Sequence, residues 1–272
     1  MGTGRLRPAN TLRIGGVVPF TTTDFPGKLA AVLFLQGCPW RCGYCHNPHL
    51  HAARGHREHG WEETLRWIGR RRGLLDAIVF SGGEPTSQRP LATAMRTVRD
   101  LGFAVGLHSG GAYPRRLAAL LPDIDWIGLD LKAPIGDYPI VTGVHGSGAA
   151  AYTSLDDVLA SGVRYEIRTT VHPALTSHES LEEVAGELKA RGVTDVCFAK
   201  KRGLVVRDMC RSQWVYDKLR RFRAGIEAGI SLLKRVFGLA RCVWKGATGF
   251  HIYVRTAVLA ANLLLLARQH LL

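Results

Sequence analysis

Between Ala30 and Ala199 the sequence alternates short, continuous apolar runs with amphipathic stretches, and no other feature constrains the fold as much. The apolar runs are Ala30–Leu35, Ala77–Phe80, Phe103–Leu107, Trp126–Leu131, Tyr165–Val171 and Val193–Ala199. A strand that is apolar on both faces belongs to a parallel sheet covered by helices, because a half-wet sheet alternates apolar and polar residues instead. Helical patterns lie between the runs, at Trp61–Arg71, Pro90–Leu101, Pro114–Leu121, Ser154–Ala160 and Ser180–Arg191. Ser177 or Ser180 ahead of Glu182 and Glu183 has the form of a helix start. Six strand–helix units are too few for an eight-unit closed barrel and suit an open one. The expected fold is therefore α/β, a partial (β/α)6 barrel, with function at the C-terminal ends of its strands.

Composition and charge narrow the class further. Hydrophobic residues at 46% and charged ones at 21% exclude wholesale disorder. No apolar run reaches the ~18 residues needed to cross a bilayer. Met1–Asn10 leads into no apolar stretch, so no signal peptide is visible, and a cytoplasmic protein with no membrane partner is expected. The formal charge of +14 is unevenly spread. Residues 1–196 carry 21 Lys and Arg against 19 Asp and Glu, whereas residues 197–272 carry 15 against 3. Such a step marks a domain boundary. The tail beyond it reads as mainly helical: Leu219, Phe222, Ile226, Ile230, Leu233 and Phe237 recur at three- and four-residue steps opposite a basic face. That charge alone gives only non-specific, salt-sensitive phosphate binding, so DNA is a minor candidate partner and a solvated basic face the favoured reading.

Three of the six cysteines, Cys38, Cys42 and Cys45, are spaced C-x3-C-x2-C just after the first apolar run; Cys197, Cys210 and Cys242 are scattered and read as small buried hydrophobes. Crowded thiolates suit zinc or iron–sulfur. A closed zinc site needs four ligands, and His46 directly follows Cys45, where joint ligation is strained. Three thiolates on a 4Fe–4S cube would leave one iron open to a small molecule. Zinc or redox chemistry and inert packing remain alternatives to this open-site cluster. After the second run comes Ser81-Gly82-Gly83-Glu84-Pro85-Thr86, where paired glycines admit a close ligand and Glu84 can accept from an ammonium group. His49, His51, His56 and His59 read as a solvated loop, and Arg168 and His172 as structural hydrogen-bonding groups.

The cysteine spacing with Tyr44 before the third cysteine, followed by Gly-Gly-Glu-Pro, resembles the radical S-adenosylmethionine superfamily. More narrowly, Pro19–Lys28 leading to Phe34–Cys38, Tyr44–Pro48, His108–Pro114 and Gly128–Pro134 are similar to glycyl-radical-enzyme activases, above all those of anaerobic ribonucleoside-triphosphate reductase. The resemblance covers roughly residues 12–196. It implies that Cys38, Cys42 and Cys45 hold a 4Fe–4S cluster whose open iron takes S-adenosylmethionine. It also implies Tyr44 against the adenine, Gly82, Gly83 and Glu84 at the amino group, and Asp130 and Lys132 near the ribose and carboxylate. His108 and Ser109 are implied as polar cofactor contacts. The partners implied are the reductase's catalytic subunit and a one-electron donor such as flavodoxin. A small-molecule enzyme of the deazapurine synthase type shares these motifs and is the alternative.

From about Lys200 a different resemblance begins. Arg223-x3-Glu227-x6-Lys234 and its surroundings are similar to the C-terminal end of an insertion-sequence DDE transposase, with Arg220 where that family has tyrosine. The tail's acids are Asp208, Asp217 and Glu227, all within twenty residues, whereas a two-metal nuclease needs carboxylates from separated segments. Transposition is not expected of it. An inactive fusion with a DNA-binding tail is the third alternative.

Overall fold

The computed structural model describes residues 12–54 and 59–193, with Thr256 and Leu259. Contacts divide the chain into two compact units, Met1–Glu187 and Leu188–Leu272. The first holds a six-stranded sheet: β1 (Ile14–Thr21), β2 (Ala30–Leu35), β3 (Ala77–Gly82), β4 (Ala104–Ser109), β5 (Trp126–Asp130) and β6 (Arg164–Arg168). Spatial order follows chain order, β1 antiparallel to β2 and every later pair parallel. The helices are α1 (Trp61–Gly69), α2 (Leu91–Asp100), α3 (Pro114–Leu120), α4 (Tyr138–Thr142), α5 (Ser147–Ala160) and α6 (His178–Ala190). The α/β class expected from the alternation is the one observed. The expected strand beyond Val193 lies outside the described residues, as do the charge step near residue 196, the basic tail, His56, Cys197, Cys210 and Cys242.

Four strands fall where continuous apolarity put them, because β2 to β5 are buried almost throughout. The fifth parallel strand, β6, is mainly exposed, with only Ile167 and Arg168 half-buried, and stops short of the expected Val171. β1 was not expected, since Gly15, Gly16 and Pro19 argue against a strand. It forms because it is an edge, where a missing donor costs little, and two register shifts interrupt its pairing with β2. α4 was also unforeseen, a five-residue helix with Pro139 in its first turn. α5 begins seven residues before the expected Ser154, in a Gly/Ala-rich run with no apolar periodicity to betray it. At α6 the start signal is realised: Ser180 N–H donates to Ser177 Oγ at 3.1 Å. No helix among the described residues is long and apolar enough to cross a membrane.

A second core element comes from the loop between β1 and β2. Phe25, 1% exposed, packs with Ala30, Val32, Ala77, Val79 and Trp126 against one face of the sheet. Its ring centroid is 5.3 Å from that of Trp126. The buried aromatic therefore fills this face at the strand starts, leaving the strand ends for other groups. Phe25→Ala is expected to cost about 3–5 kcal/mol, lost transfer energy plus a cavity, measured by urea unfolding followed by fluorescence.

Candidate functional site

Chain geometry draws the ends of β2, β3 and β4 together. After β2 the backbone turns so that Gly37 N–H donates to Leu50 O (2.8 Å) and Cys38 N–H to His51 O (3.1 Å). The same loop is tied to α4, with Arg41 N–H on Thr142 O and Gly43 N–H on Val141 O. Gly82 and Gly83 end β3 against this loop. Gly82 has φ +122°, and a Cβ there would strike the backbone of Leu35; one on Gly83 would come within 2.6 Å of Gly37 O. Only glycine lets the two strand ends approach so closely.

Glu84 follows and is 2% exposed. Its Oε1 accepts from Thr86 Oγ1 (2.6 Å), Thr86 N–H (3.1 Å) and Ser109 Oγ (2.9 Å), and its Oε2 from Gly110 N–H (2.9 Å). Burial still raises its pKa above the ordinary carboxylate range, against the pull of these bonds. Oε2 accepts from Gly110 N–H and keeps room for a second donor.

A cavity of about 220 Å³ opens at these strand ends. Cys38, Cys42 and Cys45 line it, and so do Tyr44, Gly82, Gly83 and Glu84. Asp130 and Lys132, from the end of β5, line it too. Lys132 Nζ sits 3.2 Å from Asp130 Oδ2 and about 6 Å from the ring centres of Trp40 and Tyr44. Burial works to lower its pKa, but Asp130, Tyr44 and Cys42 together leave it raised and the ammonium charged. Burial pushes the Cys38 thiol up to about 11, raises Cys42 against the opposing Lys132 charge, and pushes the Tyr44 phenol up to about 12. Thiols held protonated by burial ionise when a bound metal supplies the compensating charge.

His108 and Ser109, at the end of β4, do not line the cavity. Ser109 is spent on Glu84. His108 Nε2 lies 3.0 Å from Asp24 O and 3.3 Å from Arg168 Nη1; protonated it donates to the first, unprotonated it accepts from the second. Burial, then Arg168, lowers its pKa, so the ring is neutral near pH 7. Lining residues that sequence reasoning passed over are Trp40, Asn47, His51, Gly110 and Thr170. Trp40 carried a signal, a large aromatic between two cysteines. Gly110 carried little, yet a Cβ there would come within 2.5 Å of Trp40. His51 leaves the solvated loop foreseen for it and is half-buried beside Cys45. His172 stacks on Tyr44, ring centroids 6.0 Å apart.

Size does not select this site. A more open hollow of about 730 Å³ lies at the starts of β5 and β6, bounded by Leu121, Ile124, Asp125 and Arg164. It contains no cysteine, and Asp125 is already taken by Val105 N–H and Arg99. The smaller cavity concentrates the chemistry. Among the described residues no three His, Cys, Asp or Glu groups close on a point where a single ion could sit. The three thiols share the lining of one cavity. The Tyr44 hydroxyl is buried with no hydrogen-bond partner, a polar atom facing nothing the protein supplies. This donor set fits an iron–sulfur cluster beside a zwitterionic ligand.

Residues 32–188 match the Radical SAM superfamily, and the chain belongs to it. It is an enzyme of radical S-adenosylmethionine chemistry, a family whose cofactors are a 4Fe–4S cluster and S-adenosylmethionine. Its relatives are glycyl-radical enzyme activating enzymes. One, from Methanocaldococcus jannaschii, is 30% identical over 185 residues, 65% of this chain and 75% of the relative. The pyruvate formate-lyase-activating enzyme of Clostridium pasteurianum is 30% identical over 188 residues, 65% and 76% of the two chains. Among solved structures, QueE from Escherichia coli aligns with 66% of this chain and 91% of its own at 17% identity and a TM-score of 0.40.

Two outcomes follow for Glu84. In Glu84→Gln the amide NH2 must face either Gly110 N–H or Thr86 N–H, each an obligate donor, at a cost of about 1–3 kcal/mol near pH 7. The raised carboxyl pKa means that the folded state holds a proton the unfolded chain has released, so this group's contribution to stability grows as pH falls through the raised value. The variant lacks that gain. Urea unfolding from pH 7 downward should therefore show the gap between parent and variant widening.

Proposed function

We propose that this chain activates a glycyl-radical enzyme, and that its partner is the catalytic subunit of anaerobic ribonucleoside-triphosphate reductase. The observation that carries the reading is the convergence of three thiols from one loop, a buried carboxylate and a half-buried, ion-paired lysine on one cavity at the strand ends. The choice of reductase rests on the motifs at Pro19–Lys28, Tyr44–Pro48, His108–Pro114 and Gly128–Pro134. In this reading residues 1–196 are the activase domain. The basic piece 197–272, with its transposase-like helix pattern, takes no part in catalysis.

Cys38, Cys42 and Cys45 hold the cluster. Glu84 takes the ammonium of S-adenosylmethionine at Oε2, a strong charge-assisted bond in a dry setting. Lys132 pairs with the carboxylate, and Asp130 both holds Lys132 and accepts from the ribose. Tyr44 lies against the adenine with His172 behind it. Held by these cysteines, a reduced cluster would supply the one electron needed to split S-adenosylmethionine into methionine and a 5′-deoxyadenosyl radical, and that radical would take a hydrogen atom from a glycine of the partner. The protein's own task is to fix the sulfonium in place and to keep water out, which Trp40 and Tyr44 do as cavity walls. A cytoplasmic one-electron carrier of the flavodoxin kind supplies the electron.

Anaerobic reconstitution of the full chain with iron and sulfide tests this. The loaded protein should release 5′-deoxyadenosine under dithionite and raise a glycyl-radical signal by electron paramagnetic resonance when the reductase subunit is added. Cys42→Ala should lose the iron. Tetrahedral zinc in place of iron would sink the cluster assignment, and cofactor cleavage with no radical on the reductase would sink the partner. Lys132→Met removes one charge-assisted contact worth about 1.5–3 kcal/mol. It should raise the KM for S-adenosylmethionine roughly 10- to 100-fold while the iron content stays at the parent's value.

A further inference from the structure

One residue reaches both ends of the cysteine loop. His51 accepts from Cys38 N–H at its carbonyl, and its Nε2 lies 3.2 Å from Cys45 Sγ. The His51 N–H donates to Pro48 O at 3.1 Å. Leu50, just before it, is buried, and its carbonyl takes Gly37 N–H. The His51 backbone is thus fixed on both sides by bonds that leave its ring free. Cys45 is anchored likewise, its N–H on Cys42 O at 3.0 Å. The ring–sulfur contact joins two residues whose backbones are already set, so it is preorganised. His46 and His49 nearby are exposed, and Arg41 spends one guanidinium nitrogen on the carbonyls of Cys38 and Trp40.

We propose that His51 is a positioning residue whose Nε2–H donates to the Cys45 sulfur and thereby sets how readily the cluster on that loop accepts an electron. This rests on the reading of Cys38, Cys42 and Cys45 as cluster ligands. A metal-bound thiolate carries no proton and can only accept, so the imidazole nitrogen facing it is the protonated one. Adding an electron puts more negative charge on the ligand sulfurs. An N–H donor 3.2 Å away stabilises that charge more than it stabilises the oxidised state, and so makes reduction easier. The turn at Pro48–Leu50 has a purpose in this account. It returns the chain so that the sixth residue after Cys45 meets its sulfur.

The full chain, reconstituted anaerobically with iron and sulfide and free of S-adenosylmethionine, is titrated with dithionite and followed by electron paramagnetic resonance. His51→Phe keeps a ring and removes the donor. Its reduction equilibrium should shift about tenfold against the reduced form, a midpoint about 59 mV more negative for one electron. His51→Gln, whose amide N–H can stand where Nε2 stood, should remain within about threefold of the parent. A merely structural role would move neither midpoint, since the backbone bonds of His51 persist in both. A second measurement needs no substitution: parent protein grown on nitrogen-15 histidine should show a weak nitrogen coupling to the reduced cluster by pulsed resonance. An unshifted midpoint in His51→Phe, absence of that coupling, or a coupling strong enough for direct ligation to iron overturns the proposal while leaving the cluster reading intact. A parent chain that takes up no iron overturns both.

Discussion

The buried carboxylate of Glu84 is the interaction on which the rest of the site depends. Its side chain holds Ser109 and Gly110 at the end of β4, and its own N–H donates to Gly37 O at the end of β2. One residue on β3's exit thus locks three consecutive strand ends. The lock is polar and dry, so each donor is worth more than it would be in water and each vacancy would cost more. The cysteine loop starts at Gly37, one residue before Cys38, and inherits its position from this clasp. Glycine at 82 and 83 is the steric condition for it: with any side chain there, β3 could not come close enough for Glu84 to reach both neighbours.

Electrostatics in the cavity follow a simple division. Buried thiols and a buried phenol resist ionisation, while Lys132 stays charged because Asp130 sits beside it. The protein therefore presents a fixed cation, the carboxyl groups of Glu84 and Asp130, and the thiols of the cysteine loop. Such a set is poorly satisfied by its own members, and the unpartnered Tyr44 hydroxyl shows where the shortfall lies. The arrangement is complementary to a ligand that carries both signs of charge next to an inorganic core. Outside the cavity, His108 and Arg168 meet each other and the Trp126 ring, a separate polar group on the same sheet.

Most of what was legible in the sequence came from two periodicities and one spacing. β2 to β5 announced themselves because strands buried on both faces cannot be anything but continuously apolar. Cys38, Cys42, Cys45, Gly82, Gly83 and Glu84 stood out in the sequence by their spacing at or beyond the ends of such strands, whereas Tyr44, Asp130 and Lys132 came only from the family resemblance. The misses have a common cause, since they depend on what packs against them. β1 contains the residues that usually forbid strands, and only its edge position makes it one. α5 begins in small residues that carry no helical stripe. His51 looked like one of four solvated histidines until the Pro48–Leu50 turn brought it back to Cys45, and no pattern along the chain encodes that return. Trp40 and Gly110 are a matched pair, a large ring and the absence of a side chain, which only coordinates can join.

The irregular first strand has one more effect. Pro19 has no N–H, and register shifts fall on both sides of the Gly16–Val18 pairing of β1 with β2, so this edge strand is irregular. Among the described residues β6 pairs only with β5. The two edges therefore differ: β1 makes one outer bridge, His59 N–H to Ile14 O at 2.8 Å, whereas β6 has no outer partner among the described residues.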